Sequence, residues 1–194
     1  RVCLMIDGQE DVSWADWLGL AELCESSGIE ALFRSDHYLS VVGRAERGSL
    51  DAWGTVCGLA AVTGTLRLGT LVSPVTFRHP SVLAKSAVTA SDIAGGPRIE
   101  LGLGAGWLEA EHAAYGFPFP RTGERFQMLE EQIEIVARQW REEPLDFDGR
   151  HYRLRGLDAL PKPAHAINLI VGGKAKPRSL ALAARWADEY NLVM

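Results

Sequence analysis

Cysteine is scarce in this sequence, which has three among 194 residues. Cys3, Cys24 and Cys57 are odd in number, widely spaced and set in apolar surroundings, so we expect each to be a buried, reduced thiol rather than a disulfide or a metal ligand. No apolar run approaches the roughly 18 residues of a membrane span. No charged segment followed by an apolar one resembles a signal peptide. These absences predict a cytoplasmic protein that does not bind a membrane.

An excess of basic charge and the motifs of several enzyme classes are also missing. Twenty lysine and arginine residues face 25 acidic ones, for a net charge of −5, and no basic cluster typical of nucleic-acid binding is present. The sequence contains neither a Gly-x-Ser-x-Gly elbow nor a Walker loop. Glu109, Glu111 and His112 lack a second histidine at metal-site spacing, so no metal is expected. With these classes excluded, we expect the partner to be a small-molecule substrate.

Six short apolar runs alternate with helix-like sequence along the whole chain. This alternation is typical of parallel strands joined by crossover helices. Ser13 with Asp16, and later Gly28, mark the two ends of the first helix, and Pro80 marks the start of the third. The predicted strands span residues 2–7, 31–37, 66–74, 98–106, 167–173 and 187–194; further helices are predicted over 51–62, 125–141 and 177–187.

The number of strands decides between two α/β architectures. A closed TIM (β/α)8 barrel needs eight strands and about 250 residues, whereas this sequence supplies six runs. Strand-like sequence begins at Arg1 and still continues at Met194. We therefore expect a single barrel domain over residues 1–194, truncated at both ends, that covers about six of the eight β/α units. An open six-stranded sheet is the alternative. Residues 107–121 and 145–163 are too long for minimal turns and predict insertions, the second of them a small hairpin or ordered excursion.

Glycines are concentrated where the fourth strand ends. Gly102, Gly104 and Gly106 follow an apolar run and allow a ligand to approach the backbone closely. A dinucleotide site needs a helix directly after such a loop and an acidic residue about 20 positions later, and an aromatic stretch stands there instead. The remaining interpretations are an S-adenosylmethionine loop, a tight barrel turn, or a surface for a flat ring ligand.

Two other strand ends carry groups suited to chemistry. His37 follows Asp36 at the end of the second strand, where parallel α/β folds place reactive residues. It could act as a general base or hydrogen-bond a ring ligand, with Asp36 setting its tautomer or the loop. At the fifth strand, Gly172-Gly173-Lys174 precedes Lys176 and Arg178 at a helix start. That combination favours an anion such as phosphate.

Five stretches follow one another along the chain in a recognisable order. They are Ser35-Asp36-His37; Leu68-Gly69-Thr70 with Thr76-Phe77-Arg78-His79-Pro80; Leu101 to Trp107; Glu111-His112 and Tyr115-Gly116-Phe117-Pro118 leading into Arg125-Phe126 and Leu129-Glu130-Glu131; and Ile170-Val171-Gly172-Gly173 with Ala187-Asp188. Each stretch alone is a loose motif, and the ordered set is specific. Taken in order, they resemble the luciferase-like flavin-dependent oxidoreductase superfamily over nearly the full length of the chain. Within that superfamily, the chain is most similar to the branch that uses the deazaflavin coenzyme F420.

The resemblance implies a TIM barrel with a flavin or deazaflavin ring at its mouth. It implies a non-proline cis peptide at Leu71–Val72, a bond that costs about 3–4 kcal/mol in general. It assigns roles by position: Asp36 and His37 flank the reactive edge of the ring; Leu71, Val72 and Ser73 form a bulge beneath it; Gly104, Ala105, Gly106 and Trp107 line its side; Val171, Gly172, Gly173 and Lys174 hold the phosphate.

One departure concerns the substrate. Sugar-phosphate dehydrogenases of the superfamily have an acidic residue at the position of Trp107, and tryptophan cannot shuttle a proton. That activity is therefore in doubt, and an aromatic wall favours an apolar or planar substrate.

The favoured hypothesis is an oxidoreductase that transfers hydride between F420 and a small organic substrate. An FMN-dependent monooxygenase is the alternative, and an S-adenosylmethionine methyltransferase or a non-catalytic flavin-binding protein are more remote. Exposed aromatic residues over 115–120 make a homodimer plausible.

Overall fold

The computed structural model describes residues 2–44 and 46–192 and confirms the alternation of strands and helices. Each predicted strand is present within one to three residues of its expected ends, except that residues 193 and 194 of the sixth lie outside the described residues. The elements are β1 (Cys3–Ile6), α1 (Trp14–Ser27), β2 (Ala31–Arg34), α2 (Ala52–Val62), β3 (Arg67–Pro74), α3 (Pro80–Ala94), β4 (Ile99–Gly104), α4 (Glu109–Tyr115), α5 (Thr122–Gln139), β5 (Leu145–Asp148), β6 (Arg153–Leu157), β7 (Asn168–Gly173), α6 (Pro177–Trp186) and β8 (Glu189–Leu192).

Local sequence signals set the helix ends. Ser13 and Asp16 form a capping box at α1, and Gly28 ends that helix in the left-handed conformation with φ 72°, which glycine adopts without steric cost. Pro80 begins α3, where its missing N–H is not needed. Two predictions need correction. The sequence predicts that all three cysteines are buried, but Cys3, on an edge strand, is exposed and Cys57 is partly buried, while Cys24 is buried as predicted. The 107–121 insertion contains a short helix, α4. A seven-residue helix is too short to show a clear apolar period.

Six strands form one parallel sheet in the order β1-β2-β3-β4-β7-β8. Each strand is added beside its predecessor, and each helix contacts the next along the chain: α1 with α2, α2 with α3, α3 with α5, and α5 with α6. The helices thus cover one face of the sheet, and the main apolar core lies between the two layers. The sheet has no reversal of strand order, which is where doubly wound folds bind nucleotides. This argues against the methyltransferase hypothesis.

The sheet is strongly curled rather than flat. Ala31 and Phe33 of β2 pack with Ile170 of β7 in a small cluster on the inner face. In a flat sheet these strands, separated by two others, would lie about 14 Å apart at the usual strand spacing. Contact between them therefore requires a curved, barrel-like sheet.

The predicted hairpin is present as an antiparallel pair, β5 with β6. It lies between β4 and β7 in the chain and leaves those two strands paired with each other. Among the described residues, no helix combines the length and the apolar composition that crossing a membrane requires.

Candidate active site

A cavity of about 850 Å³ lies where the carboxyl ends of the six strands converge. This is the end at which parallel barrels carry their reactive groups. Both outer strands reach it, through Met5 on one side and Asn191 and Leu192 on the other. Its other lining residues are Asp7, Ser35, His37, Val41, Leu71, Val72, Pro74, Gly104, Ala105, Gly106, Trp107, Thr122, Phe126, Gly172, Gly173, Lys174, Lys176 and Ser179.

A bulge in β3 forms part of the cavity wall. The peptide between Leu71 and Val72 is cis, as predicted, and the pairing of β3 with β4 shifts register between Thr70 and Ser73. Irregular strand pairing of this kind re-aims side chains near active sites. The bulge directs the side chain of Val72 across the faces of the neighbouring strands β4 and β7.

The glycines at the ends of β4 and β7 make room for that valine. A Cβ added at Gly104 would lie 2.5 Å from Val72 Cγ2, and one at Gly172 would lie 2.9 Å from Val72 Cγ1. Cβ atoms in proteins essentially never lie within 3.0 Å of a non-bonded atom. The glycines are therefore needed here because Val72 of the bulge occupies the space that their side chains would fill. Without side chains, they also leave their backbone exposed to the cavity.

His37 lies in the segment that follows the end of β2 and is anchored by a carboxylate from α4. Its Nδ1 is 2.7 Å from Oε1 of Glu111, and the other oxygen of Glu111 accepts a hydrogen bond from the N–H of Tyr38 at 3.0 Å. The ring of Trp107 contacts the ring of His37 edge to face, with centroids 5.5 Å apart. The histidine in the cavity is thus hydrogen-bonded to Glu111 and packed against the ring of Trp107.

Asp36 faces the other way. Its Oδ2 accepts hydrogen bonds from Ser73 Oγ and from Arg78 Nη1, each at 2.6 Å, and its side chain is 1% exposed. Ser73 in turn accepts a hydrogen bond from the indole N–H of Trp53. Alternate residues of an extended chain point to opposite faces. Thus Ser35 and His37 line the cavity, while Asp36 joins a buried network.

The charges of that network reinforce one another. Arg78 also donates to Asp51 Oδ2 at 2.7 Å and to the hydroxyl of Tyr38 at 3.0 Å. Burial by itself lowers the pKa of Arg78, but the charges of Asp36 and Asp51 outweigh it and raise the pKa above its usual value. Burial also raises the pKa of Tyr38. The network therefore holds an ion-paired arginine with a neutral phenol beside it.

The other end of the cavity is cationic. Lys174 and Lys176 line it at the start of α6, a helix whose N-terminus has no side-chain cap. Unpaired helix N–H groups and lysine charge together favour an anion. Arg178, predicted to contribute, instead pairs through two nitrogens with Glu130 at 2.7 and 2.6 Å.

The structure brings most of the predicted site residues to this one cavity. Three others lie outside its lining: Asp36 and Ser73 hydrogen-bond to each other, and Val171 is fully buried in the core. The residues around the cavity are His37, Leu71, Val72, Gly104, Ala105, Gly106, Trp107, Gly172, Gly173 and Lys174.

Sequence reasoning missed the carboxylate partner of His37. It treated Glu111 as part of a rejected metal cluster with Glu109 and His112 and as part of a family stretch, and it gave the positioning role to Asp36. In the structure, His112 bonds instead to Thr76 and to the Leu108 carbonyl. No group of three metal-ligating side chains occurs among residues 2–44 and 46–192. The available signal was burial, because Glu111 is fully buried and a buried carboxylate requires a partner.

The family model for luciferase-like monooxygenases matches residues 4–194. The chain belongs to the luciferase-like monooxygenase family. Among curated members, this luciferase-like chain is 31% identical over 149 residues to a pyrimidine monooxygenase of Bradyrhizobium sp., which covers 75% of the chain and 40% of that relative. It is 32% identical over 170 residues to an F420-dependent glucose-6-phosphate dehydrogenase of Kineococcus radiotolerans, with 86% and 48% covered.

Solved structures share the fold of the luciferase-like chain. An F420-dependent secondary alcohol dehydrogenase in complex with an F420-acetone adduct superposes with a TM-score of 0.86 at 21% identity, over 98% of this chain and 57% of that one. The monooxygenase RslO1 of Streptomyces bottropensis superposes with a TM-score of 0.80 at 25% identity, over 95% and 57%. The chain spans about half the length of the relatives it matches.

Proposed function

We propose that this luciferase-like protein is an oxidoreductase that transfers hydride between F420 and a small organic substrate. The observation that carries the proposal is the cavity itself. It combines an apolar bulge at Leu71–Val72, an anchored histidine and a cationic helix start. These are the parts needed to support a ring, to exchange a proton beside it, and to hold an anionic tail.

The residues present fit such a cofactor. Leu71 and Val72 offer an apolar surface for a ring, while Lys174 and Lys176 face the same space from the cationic end. A volume of about 850 Å³ lies within the usual range for small-molecule sites.

A bound deazaflavin supplies hydride transfer, and the protein supplies binding, orientation and a proton. Trp107, which is 62% exposed at the cavity, provides an apolar wall beside His37. We assign proton exchange to the imidazole of His37 because it is the group in the cavity best suited to general acid–base catalysis. The wall favours a substrate with an apolar or planar body over a sugar phosphate.

FMN-dependent monooxygenation is the second candidate. It is favoured by the 31% identity to a pyrimidine monooxygenase, whereas F420 is favoured by relatives named F420-dependent glucose-6-phosphate dehydrogenases at 30–35% identity. The same cavity residues serve either ring.

We also propose that further strands complete an eight-stranded barrel. The sheet is curled enough for β2 and β7 to touch, and β1 and β8 are the strands at its two edges. The matched relatives are about twice as long as this chain, which leaves room for two more β/α units. Such strands would close the open side of the cavity.

The test of function is an anaerobic titration of the full-length protein with F420 and with FMN, followed by cofactor absorbance and fluorescence. Tight F420 binding together with weak FMN binding is the expected result. Preference for FMN would replace hydride transfer with oxygen-dependent chemistry as the proposal. Binding of neither ring would overturn both assignments.

The role of the two lysines at the cationic end of the cavity can be tested by substitution. Replacing Lys174 and Lys176 together with alanine is expected to weaken binding of the anionic cofactor about fivefold, because two exposed cations contribute roughly 1 kcal/mol in total at low salt. Arg178→Ala is the matched control and should change the dissociation constant less than about twofold, since Glu130 already occupies that guanidinium. Titration of each variant at low salt measures both effects.

The same titration with a riboflavin-level ring that lacks phosphate separates anion binding from ring binding. The double lysine variant should bind that neutral ring as the parent protein does. An equal loss of affinity for both ligands would show that the lysines do not act on the anionic group. A large loss of affinity in Arg178→Ala would contradict the pairing of Arg178 with Glu130.

A further inference from the structure

We infer that Glu111 is a positioning residue that fixes the ring orientation and the tautomer of His37. Its meaning for catalysis rests on the proposed function, because His37 is the proton-exchanging group there. The assignment itself rests on geometry within this chain.

The contact joins residues that are 74 positions apart in the sequence. Glu111 lies on the third position of α4, and its side chain is 1% exposed, against 14% for His37. Its two oxygens have different tasks. One is 2.7 Å from Nδ1 of His37, and the other accepts the N–H of Tyr38. These two contacts, to consecutive residues, hold the backbone of the segment after β2 and the imidazole in a fixed relation to each other.

A carboxylate only accepts hydrogen bonds. The 2.7 Å contact therefore places the proton of a neutral imidazole on Nδ1 and leaves Nε2 without one. Nε2 of His37 has no hydrogen-bond partner among the described residues, and the ring borders the cavity beside Trp107. Glu111 thus makes Nε2 the atom that takes or returns a proton in the cavity.

Glu111→Gln tests this assignment because the amide has nearly the same shape. Its oxygen can still accept the N–H of Tyr38, but its NH2 group then faces Nδ1 as a donor. The neutral ring of His37 should switch from the Nδ1–H to the Nε2–H tautomer. The readout is the pair of ring ¹⁵N chemical shifts in histidine-labelled protein at alkaline pH without cofactor, with signals assigned by their loss in His37→Asn.

Glu109→Gln is the matched control, since Glu109 stands exposed on the same short helix and is expected to leave the His37 tautomer unchanged. The thermal unfolding midpoint of each variant is measured alongside. If that midpoint falls by several degrees in Glu111→Gln alone, the proposal still requires that the tautomer switches. Parent protein with Nε2–H, or a Glu111→Gln variant that keeps Nδ1–H, would overturn it.

A second readout links position to reaction. With bound cofactor and a substrate that turns over, Glu111→Gln should lower kcat about 100-fold or more, as wrong-tautomer substitutions do in other enzymes, while the cofactor dissociation constant stays within about twofold. Unchanged kcat with a switched tautomer would remove Glu111 from the chemistry. Since the tautomer is measured without cofactor, failure of F420 to bind would refute the proposed function and leave the assignment of Glu111 standing.

Discussion

Arg78→Met is expected to lower the free energy of unfolding by about 3–5 kcal/mol, the usual cost of removing one partner from a buried ion pair. Asp36 would keep its hydrogen bond from Ser73 but lose the 2.6 Å contact to the guanidinium. Its carboxylate is 1% exposed and has no access to water that could replace that charge. Urea unfolding followed by tryptophan fluorescence measures the change.

Arg138→Met is the control for removing an arginine as such. Arg138 pairs with Glu134 and Glu142 on the helix surface, where exposed pairs contribute less than about 1 kcal/mol. Adding Asp36→Asn to Arg78→Met should recover part of the lost stability, because the amide removes the unpaired charge. Equal losses in the two arginine variants would show that the buried network contributes no more than a surface pair.

Gly102→Ala is expected to cost about 3 kcal/mol, at the upper end for an overpacked interior. The added Cβ would lie 2.2 Å from the carbonyl oxygen of Thr70 and 2.9 Å from Val72 Cγ1. The first contact is to backbone, so strands β3 and β4 must move apart to relieve it. Gly19→Ala is the control on an open helix surface, and it should raise stability by roughly 0.5–1 kcal/mol.

A neighbouring glycine separates backbone from side-chain crowding. Apart from its chain neighbours, the Cβ of Gly104→Ala would meet only Val72 within 4 Å in the described part of the chain, so Val72→Ala should largely rescue it. The same second substitution should leave most of the loss in Gly102→Ala uncorrected, because the clash with Thr70 remains. Rescue of both glycine variants to the same extent would contradict the backbone argument, and denaturant unfolding of the four variants decides it.

Much of the fold could be predicted from the sequence because its signals are local. Short apolar runs, the capping pair Ser13 and Asp16, and turn glycines such as Gly28 act over a few residues. Helix α4 was missed because its seven residues, Glu109–Tyr115, are too few to show a clear apolar period. The resemblance to the luciferase-like family, carried by ordered motifs, added the cis peptide at Leu71–Val72, which no local signal in this chain predicts.

What the sequence determined by itself is therefore the alternation of strands and helices along the chain and the residues at the carboxyl ends of the strands, including His37, Trp107 and Lys174. Only the tertiary structure decided how those residues are oriented and paired. Curling of the sheet brings both edge strands to one cavity. In the buried interior, Asp36 pairs with Arg78 and Glu111 pairs with His37. Such pairings follow from three-dimensional packing, because a buried charge takes the nearest partner in space whatever its distance along the chain.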